Sequence, residues 1–117
     1  YEDKNGNIWI GTREGLSVFQ AATKKFKNYV NNPKDSSSLP NNYITTIAED
    51  KEGGLWIGTY DGGLCQLVNA NKGIFKVFTT QTHGLPDNII CGLLLDNHSG
   101  NFWISSGKDW HNSTPKH

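Results

Sequence analysis

Three stretches of this chain are copies of one another. EDKNGNIWIGTREGLSVF (2–19), EDKEGGLWIGTYDGGLCQL (49–67) and LDNHSGNFWISS (95–106) align around a shared tryptophan. Trp9, Trp56 and Trp103 are spaced 47 and 47 residues apart, and Asp3, Asp50 and Asp96 are spaced 47 and 46. A second motif keeps the same period, with SLPNNYI (38–44) and GLPDNII (84–90) 46 residues apart. A repeat of this length builds equivalent units that bury their faces only against neighbouring units.

The pattern inside one period decides what the unit is. Short apolar and aromatic runs alternate with turn residues every 8 to 12 positions, which reads as strands. Four strands fall in each period. Strand A covers 43–49 and 89–95, strand B 7–12, 55–59 and 102–106, strand C 16–20 and 64–68, and strand D 26–30 and 75–79. Gly and Asn contribute 13 residues each, a turn-rich composition that leaves no room for long helices. Four antiparallel strands per repeat is the make-up of a propeller blade. The predicted fold class is therefore all-β, a β-propeller segment of about two and a quarter blades that does not close into a ring by itself. Residues 1–30 give a partial blade (B, C, D), 43–79 a complete blade, 89–106 a partial blade (A, B) and 107–117 a divergent tail. A seven-bladed ring at this period needs about 330 residues.

The A–B connections are DKNGN, DKEGG and DNHSGN. Each opens with an aspartate that can cap the turn through downstream N–H groups, the role expected of Asp3, Asp50 and Asp96. Asp3, Asn5, Asn7 and Glu14 mimic an EF-hand loop, but Ile8 stands where its glycine belongs, so no metal site is predicted. Along strand B, Ile8 and Ile10 point to one face and Trp9 and Gly11 to the other. A strand apolar on both faces is buried on both, which makes Trp9, Trp56 and Trp103 expected core residues. Each buries on the order of 200 Å², an upper bound of roughly 5 kcal/mol in transfer free energy.

Charge excludes several functions. The 11 basic and 11 acidic residues cancel, which argues against a nucleic-acid partner. No apolar run reaches the roughly 18 residues of a membrane helix, so no membrane contact is expected. The chain has no methionine and no secretory signal, which reads as a processed or excised segment. Cys65 aligns with Ser17 and Cys91 with Thr45, positions for small packing residues, so neither a redox nor a metal role is expected. No cofactor is predicted. His83 and His98 fall in turns, and His111 and His117 in the tail.

The phrases GNIWIGTREGLSVF, LPNNYITTIAED and GLWIGTYDGGLCQL resemble the two-component-regulator propeller repeat over about nine-tenths of the chain. That repeat builds the extracytoplasmic sensor region of hybrid two-component histidine kinases of Bacteroidetes. The resemblance implies a periplasmic propeller that senses oligosaccharides and signals through a membrane helix to a kinase. No phospho-accepting region or nucleotide motif stands in this chain, so no kinase activity is expected of it. A strand C is expected after the third copy, but Asp109 and Trp110 stand there instead.

In a propeller the D–A and B–C connections share the face at the mouth of the channel. Here they carry Arg13, Asn42, Tyr43, Tyr60, Asp61, His83, Asp87 and Asn88, the candidate ligand-binding set. The same residue types also dominate ordinary turns. Two further readings stay open. One is a purely structural or dimerising segment, with the strand at 89–95 completing the first blade of a neighbouring copy. The other is a fragment of a propeller glycoside hydrolase, whose chemistry needs two carboxylates roughly 5 to 10 Å apart. The partners that follow are an oligosaccharide, other propeller blades, or a second copy bound head to tail.

Overall fold

The computed structural model describes residues 1–85, 87–106 and 110–112. Its strands are β1 (Ile8–Thr12), β2 (Gly15–Gln20), β3 (Lys25–Tyr29), β4 (Ile44–Glu49), β5 (Leu55–Thr59), β6 (Leu64–Asn69), β7 (Ile74–Phe78), β8 (Ile90–Leu95), β9 (Phe102–Ser106) and β10 (Trp110–Asn112). A one-turn helix, α1 (Thr80–His83), lies between β7 and β8. The strands form three antiparallel sheets ordered β1–β2–β3, β4–β5–β6–β7 and β8–β9–β10. These are three successive blades, and they do not close on one another.

The repeat is kept rung by rung. In the second blade Ala48 faces Trp56 and Glu49 faces Leu55. Tyr1 and Glu2 hold the same places beside β1. The Tyr1 ammonium donates to the Trp9 carbonyl at 2.8 Å, the Trp9 amide donates back at 2.7 Å, and Glu2 bridges Ile8. Blade one thus carries two residues of its inner strand. The inner strands β4 and β8 share a register irregularity, between Ile44 and Thr46 and between Ile90 and Gly92. They lie alongside each other, and the Thr45 hydroxyl donates to the Ile90 carbonyl across the gap.

Two features depart from the sequence reading. The third copy does have a strand C. Residues 110–112 pair antiparallel with β9, placing His111 in a strand rather than a tail. Pairing at an open sheet edge needs only backbone N–H and C=O groups, so it leaves no apolar alternation to read. The rest of that tail, 107–109 and 113–117, lies outside the described residues. The strand at 89–95 is also not spare. As β8 it is paired with β9 in its own blade and packed against β4.

The core is two layers, one between each pair of blades. Trp9, Leu16, Val18 and Tyr29 of blade one pack on Ile44, Leu55, Ile57, Cys65 and Phe75 of blade two. Trp56, Leu64 and Phe78 of blade two pack on Ile90, Phe102 and Ile104 of blade three. Gly58 lets the blades approach. A Cβ there would stand 2.6 Å from Cγ2 of both Ile90 and Thr46, and at the equivalent Gly11 it would stand 2.5 Å from Ile44 Cγ2. That contact accounts for the glycine two residues after the tryptophan. Blade three carries Ser105 at this position, where no further inner strand presses on it among the described residues.

Burial follows position in the stack. Trp9 is 6% exposed and Trp56 1%, but Trp103, expected in the core, is 36% exposed. Its indole lies on the face equivalent to the one by which Trp9 and Trp56 meet the next blade, and no further blade stands there among the described residues. At the opposite end Ile8 and Ile10 are 43% and 41% exposed, whereas their counterparts Leu55, Ile57, Phe102 and Ile104 are buried.

Candidate functional site

The tight A–B turns position Trp9 and Trp56. Asp3 Oδ1 accepts the N–H groups of Asn5 and Asn7 at 2.9 and 3.0 Å, and Asp50 Oδ1 accepts those of Glu52 and Gly54 at 3.0 and 2.7 Å. Asp96 Oδ1 accepts from His98 and Ser99 at 2.9 and 3.3 Å. Gly6, Gly53 and Gly100 complete the turns at φ of +82°, +84° and +78°, a region open mainly to glycine. The second oxygen has a further task. Asp3 Oδ2 accepts the Trp9 indole N–H at 2.8 Å, and Asp50 Oδ2 accepts that of Trp56 at the same distance. This link was missed in the sequence, although the six-residue spacing shared by Asp3 with Trp9 and Asp50 with Trp56 is its signal; in the third copy Asp96 and Trp103 are seven residues apart.

On the D–A and B–C face the structure brings three of the predicted residues together. The Tyr60 N–H donates to the Tyr43 carbonyl at 2.9 Å, which ties the β5–β6 loop to the start of β4. The two rings stack, with centroids 5.0 Å apart and planes at 28°. Arg13, reaching from the β1–β2 loop of the neighbouring blade, places its guanidinium 5.3 Å from the Tyr43 centroid. A cation over an aromatic face is attracted by the ring quadrupole. Tyr60 and Arg13 are both exposed, Tyr60 with about half its surface in solvent, while Tyr43 is half-buried between them.

The other candidates serve their own loops. Asn42 Oδ1 accepts the Asn31 N–H at 2.6 Å, and Asn88 Oδ1 accepts that of Thr80 at 2.9 Å. Asp87 caps Ile89 at 3.0 Å, as Asn41 caps Tyr43 at 2.9 Å. LPNN and LPDN are thus the same turn made twice; Pro86 itself lies outside the described residues. Asp61 is exposed beside Tyr60. His83 sits on α1, with its ring edge-on to Phe78 at 4.4 Å and Nδ1 2.9 Å from the Thr82 hydroxyl. Thr79 caps this helix by accepting from Gln81 and Thr82.

A groove of about 410 Å³ opens on the same face between the 31–40 loop and Thr82. Asn32, Asp35, Ser36 and Ser38 line it, none of them among the predicted ligand residues. Their polarity signalled an ordinary loop, and Ser38 and Asp35 do close that loop on itself. Among the described residues no three His, Cys, Asp or Glu side chains gather as a metal site, and no helix is long and apolar enough to cross a membrane.

A family model described as two-component regulator propeller matches residues 1–14 and 38–61. These segments are two-component regulator propeller repeats. The histidine kinase P4 of Formosa agariphila is 53% identical over 38 residues, which are 32% of this chain and 3% of that protein. The extracellular domain of a hybrid two-component system from B. thetaiotaomicron superposes with a TM-score of 0.77 at 28% identity, over 90% of this chain and 14% of that one. A second such extracellular domain gives 0.68 at 26% identity, over 87% of this chain and 13% of that one. The repeats described here thus correspond to a small part of the extracellular propellers of such sensors.

Proposed function

We propose that the chain is a segment of an extracytoplasmic sensor propeller and takes part in recognising an oligosaccharide at its D–A and B–C face. The observation that supports this is the Arg13–Tyr43–Tyr60 stack. Turn-forming residues on this face recur from copy to copy, as Asn41 with Asp87 and Asn42 with Asn88 do. Tyr43 does not recur, since its counterpart is Ile89, and Tyr60 occupies the place that Arg13 holds in blade one. The fold does not demand this stack, and an exposed tyrosine beside a guanidinium suits the apolar faces and hydroxyls of a sugar ring. The stack binds rather than reacts. Asp3, Asp50 and Asp87 are engaged in turns, so the carboxylate pair a glycosidase needs is not made from them. Signal output falls to a kinase elsewhere in the full-length protein, in the periplasmic arrangement that the repeat implies.

Calorimetric titration of the full-length ectodomain with a panel of defined plant and host oligosaccharides tests this reading. Tyr60→Ala and Arg13→Ala are each expected to weaken binding of the active glycan roughly tenfold or more, the range of a central contact residue. Unchanged affinity in both variants, or no binding by any glycan, would remove the stack from sugar recognition.

A further inference from the structure

The groove of about 410 Å³ between the 31–40 loop and Thr82 lies in the size range of ligand pockets. Its walls are the connection from blade one to blade two and the outer edge of blade two. Asn32, Asp35, Ser36 and Thr82 rim it, Pro33 and Pro40 give it apolar walls, and Val77 of β7 lines it between them. The two D–A connections are alike only from the LPNN and LPDN turns onward. Before those turns NNPKDSS (31–37) and VFTTQTH (77–83) share no residue, so the groove is built from a part that the repeat does not fix.

Its polar groups are only partly spent. Asp35 Oδ1 accepts the Ser37 N–H at 2.9 Å and the Ser37 hydroxyl at 2.6 Å, which holds the carboxyl below the usual carboxylate range. Asp35 Oδ2 and the Ser36 hydroxyl make no hydrogen bond among the described residues. The strand edge adds a donor and an acceptor. The Phe75 N–H points away from β6 and donates to the Ser37 carbonyl at 2.7 Å. Antiparallel pairs alternate along a ladder, so the N–H and C=O of Val77 point the same way, into the groove. The next outward pair, at Thr79, is taken by Thr82, His83 and Leu85. One open rung is too little for an added peptide strand, which binds through successive main-chain bonds. It suits a sugar ring, whose neighbouring hydroxyls each donate and accept, set beside a carboxylate and proline faces.

The groove adjoins the aromatic stack. A Cβ on Gly62 would stand 3.0 Å from the Pro40 carbonyl oxygen, and Gly62 follows Tyr60 by two residues. On the same wall the Asn31 N–H is bonded to Asn42, which precedes Tyr43. We infer that the groove is a second sugar subsite, holding a further unit of the oligosaccharide whose first ring lies on Arg13, Tyr43 and Tyr60. This rests on the sugar reading of that stack and adds to it a demand for chain length.

Calorimetric titration of the full-length ectodomain with malto-, xylo- and arabino-oligosaccharides, each from disaccharide to hexasaccharide, tests the inference. Affinity is expected to rise about tenfold along a series that binds, as the longer members gain the groove's hydrogen bonds. Asp35→Asn keeps the Oδ1 acceptor that closes the loop and should weaken the long members roughly tenfold, the loss of a bond to a charged acceptor. Ser36→Ala removes a hydroxyl with no partner in the loop and should weaken them about threefold. Neither should change disaccharide affinity, whereas Tyr60→Ala should weaken short and long members alike. If both groove variants bind every length as the wild type does while Tyr60→Ala weakens them all, the subsite is excluded and the stack reading stands. Affinity that does not depend on length excludes it too, as does an equal loss for disaccharide and hexasaccharide in the groove variants. If no series binds, both readings fall together.

Discussion

In the first two A–B turns a single carboxylate closes the turn and holds the next strand's indole. Asp50 shows both contacts, with Oδ1 on the Glu52 and Gly54 N–H groups and Oδ2 on Trp56. Burying an indole N–H without a partner costs about 1 to 3 kcal/mol, so the aspartate lets a tryptophan serve as a core residue. Asp50→Ala is therefore expected to destabilise the chain by about 3 kcal/mol in urea unfolding, since it removes charge-assisted bonds as well as the cap. Trp56→Phe removes the same indole link from the other side. The double variant should cost less than the sum of the singles, with a coupling of about 1 kcal/mol. Additive losses would mean that the carboxylate acts on the turn alone. Turn capping by Asp3, Asp50 and Asp96 was legible in the sequence because it is local. The tie to the indole was not, because the spacing alone does not say which way the side chains of β1 and β5 turn.

At the scale of elements, the glycine of strand B measures how closely blades approach. Gly58→Ala is expected to cost about 2 kcal/mol, because its Cβ would overlap two β-branched side chains in packed strands. Ser105→Ala, at the same place in a blade with no neighbour beyond it among the described residues, should change stability by less than about 0.5 kcal/mol. Thermal unfolding of the pair checks both; equal losses would place the constraint inside the sheet rather than between sheets. Strands were legible here because two motifs repeat at one period, and the bounds of β5 and β9 are those read from the sequence. β10 and α1 were not legible. β10 is three polar and aromatic residues held by edge pairing, and α1 is a single turn fixed by the capping of Thr79 and Thr82 rather than by propensity. On the candidate face, strand order alone placed Arg13, Tyr43 and Tyr60 together. It did not reveal that Asn42, Asp87 and Asn88 are consumed by backbone N–H groups, since the same residue types serve turns and ligands alike.

The whole molecule is a stack with two unlike ends. Sequence periodicity assigned all three tryptophans to the core, and two are there. Trp103 differs not in its own residues but in what lies beside it, which no local pattern records. The inner strands run where the blades converge, and there β8 leaves Cys91 exposed while Cys65 is buried between blades one and two. Loss of solvent pushes the Cys65 thiol far up from its ordinary range, so it stays protonated and unreactive. A maleimide dye should accordingly couple to a single site in the folded chain and to both cysteines in urea, as read by intact mass; double coupling under native conditions would contradict the packing of blade two. The inner wall of this propeller segment therefore comes with one natural attachment point for a fluorophore, from which energy transfer could follow its neighbours without any engineered residue.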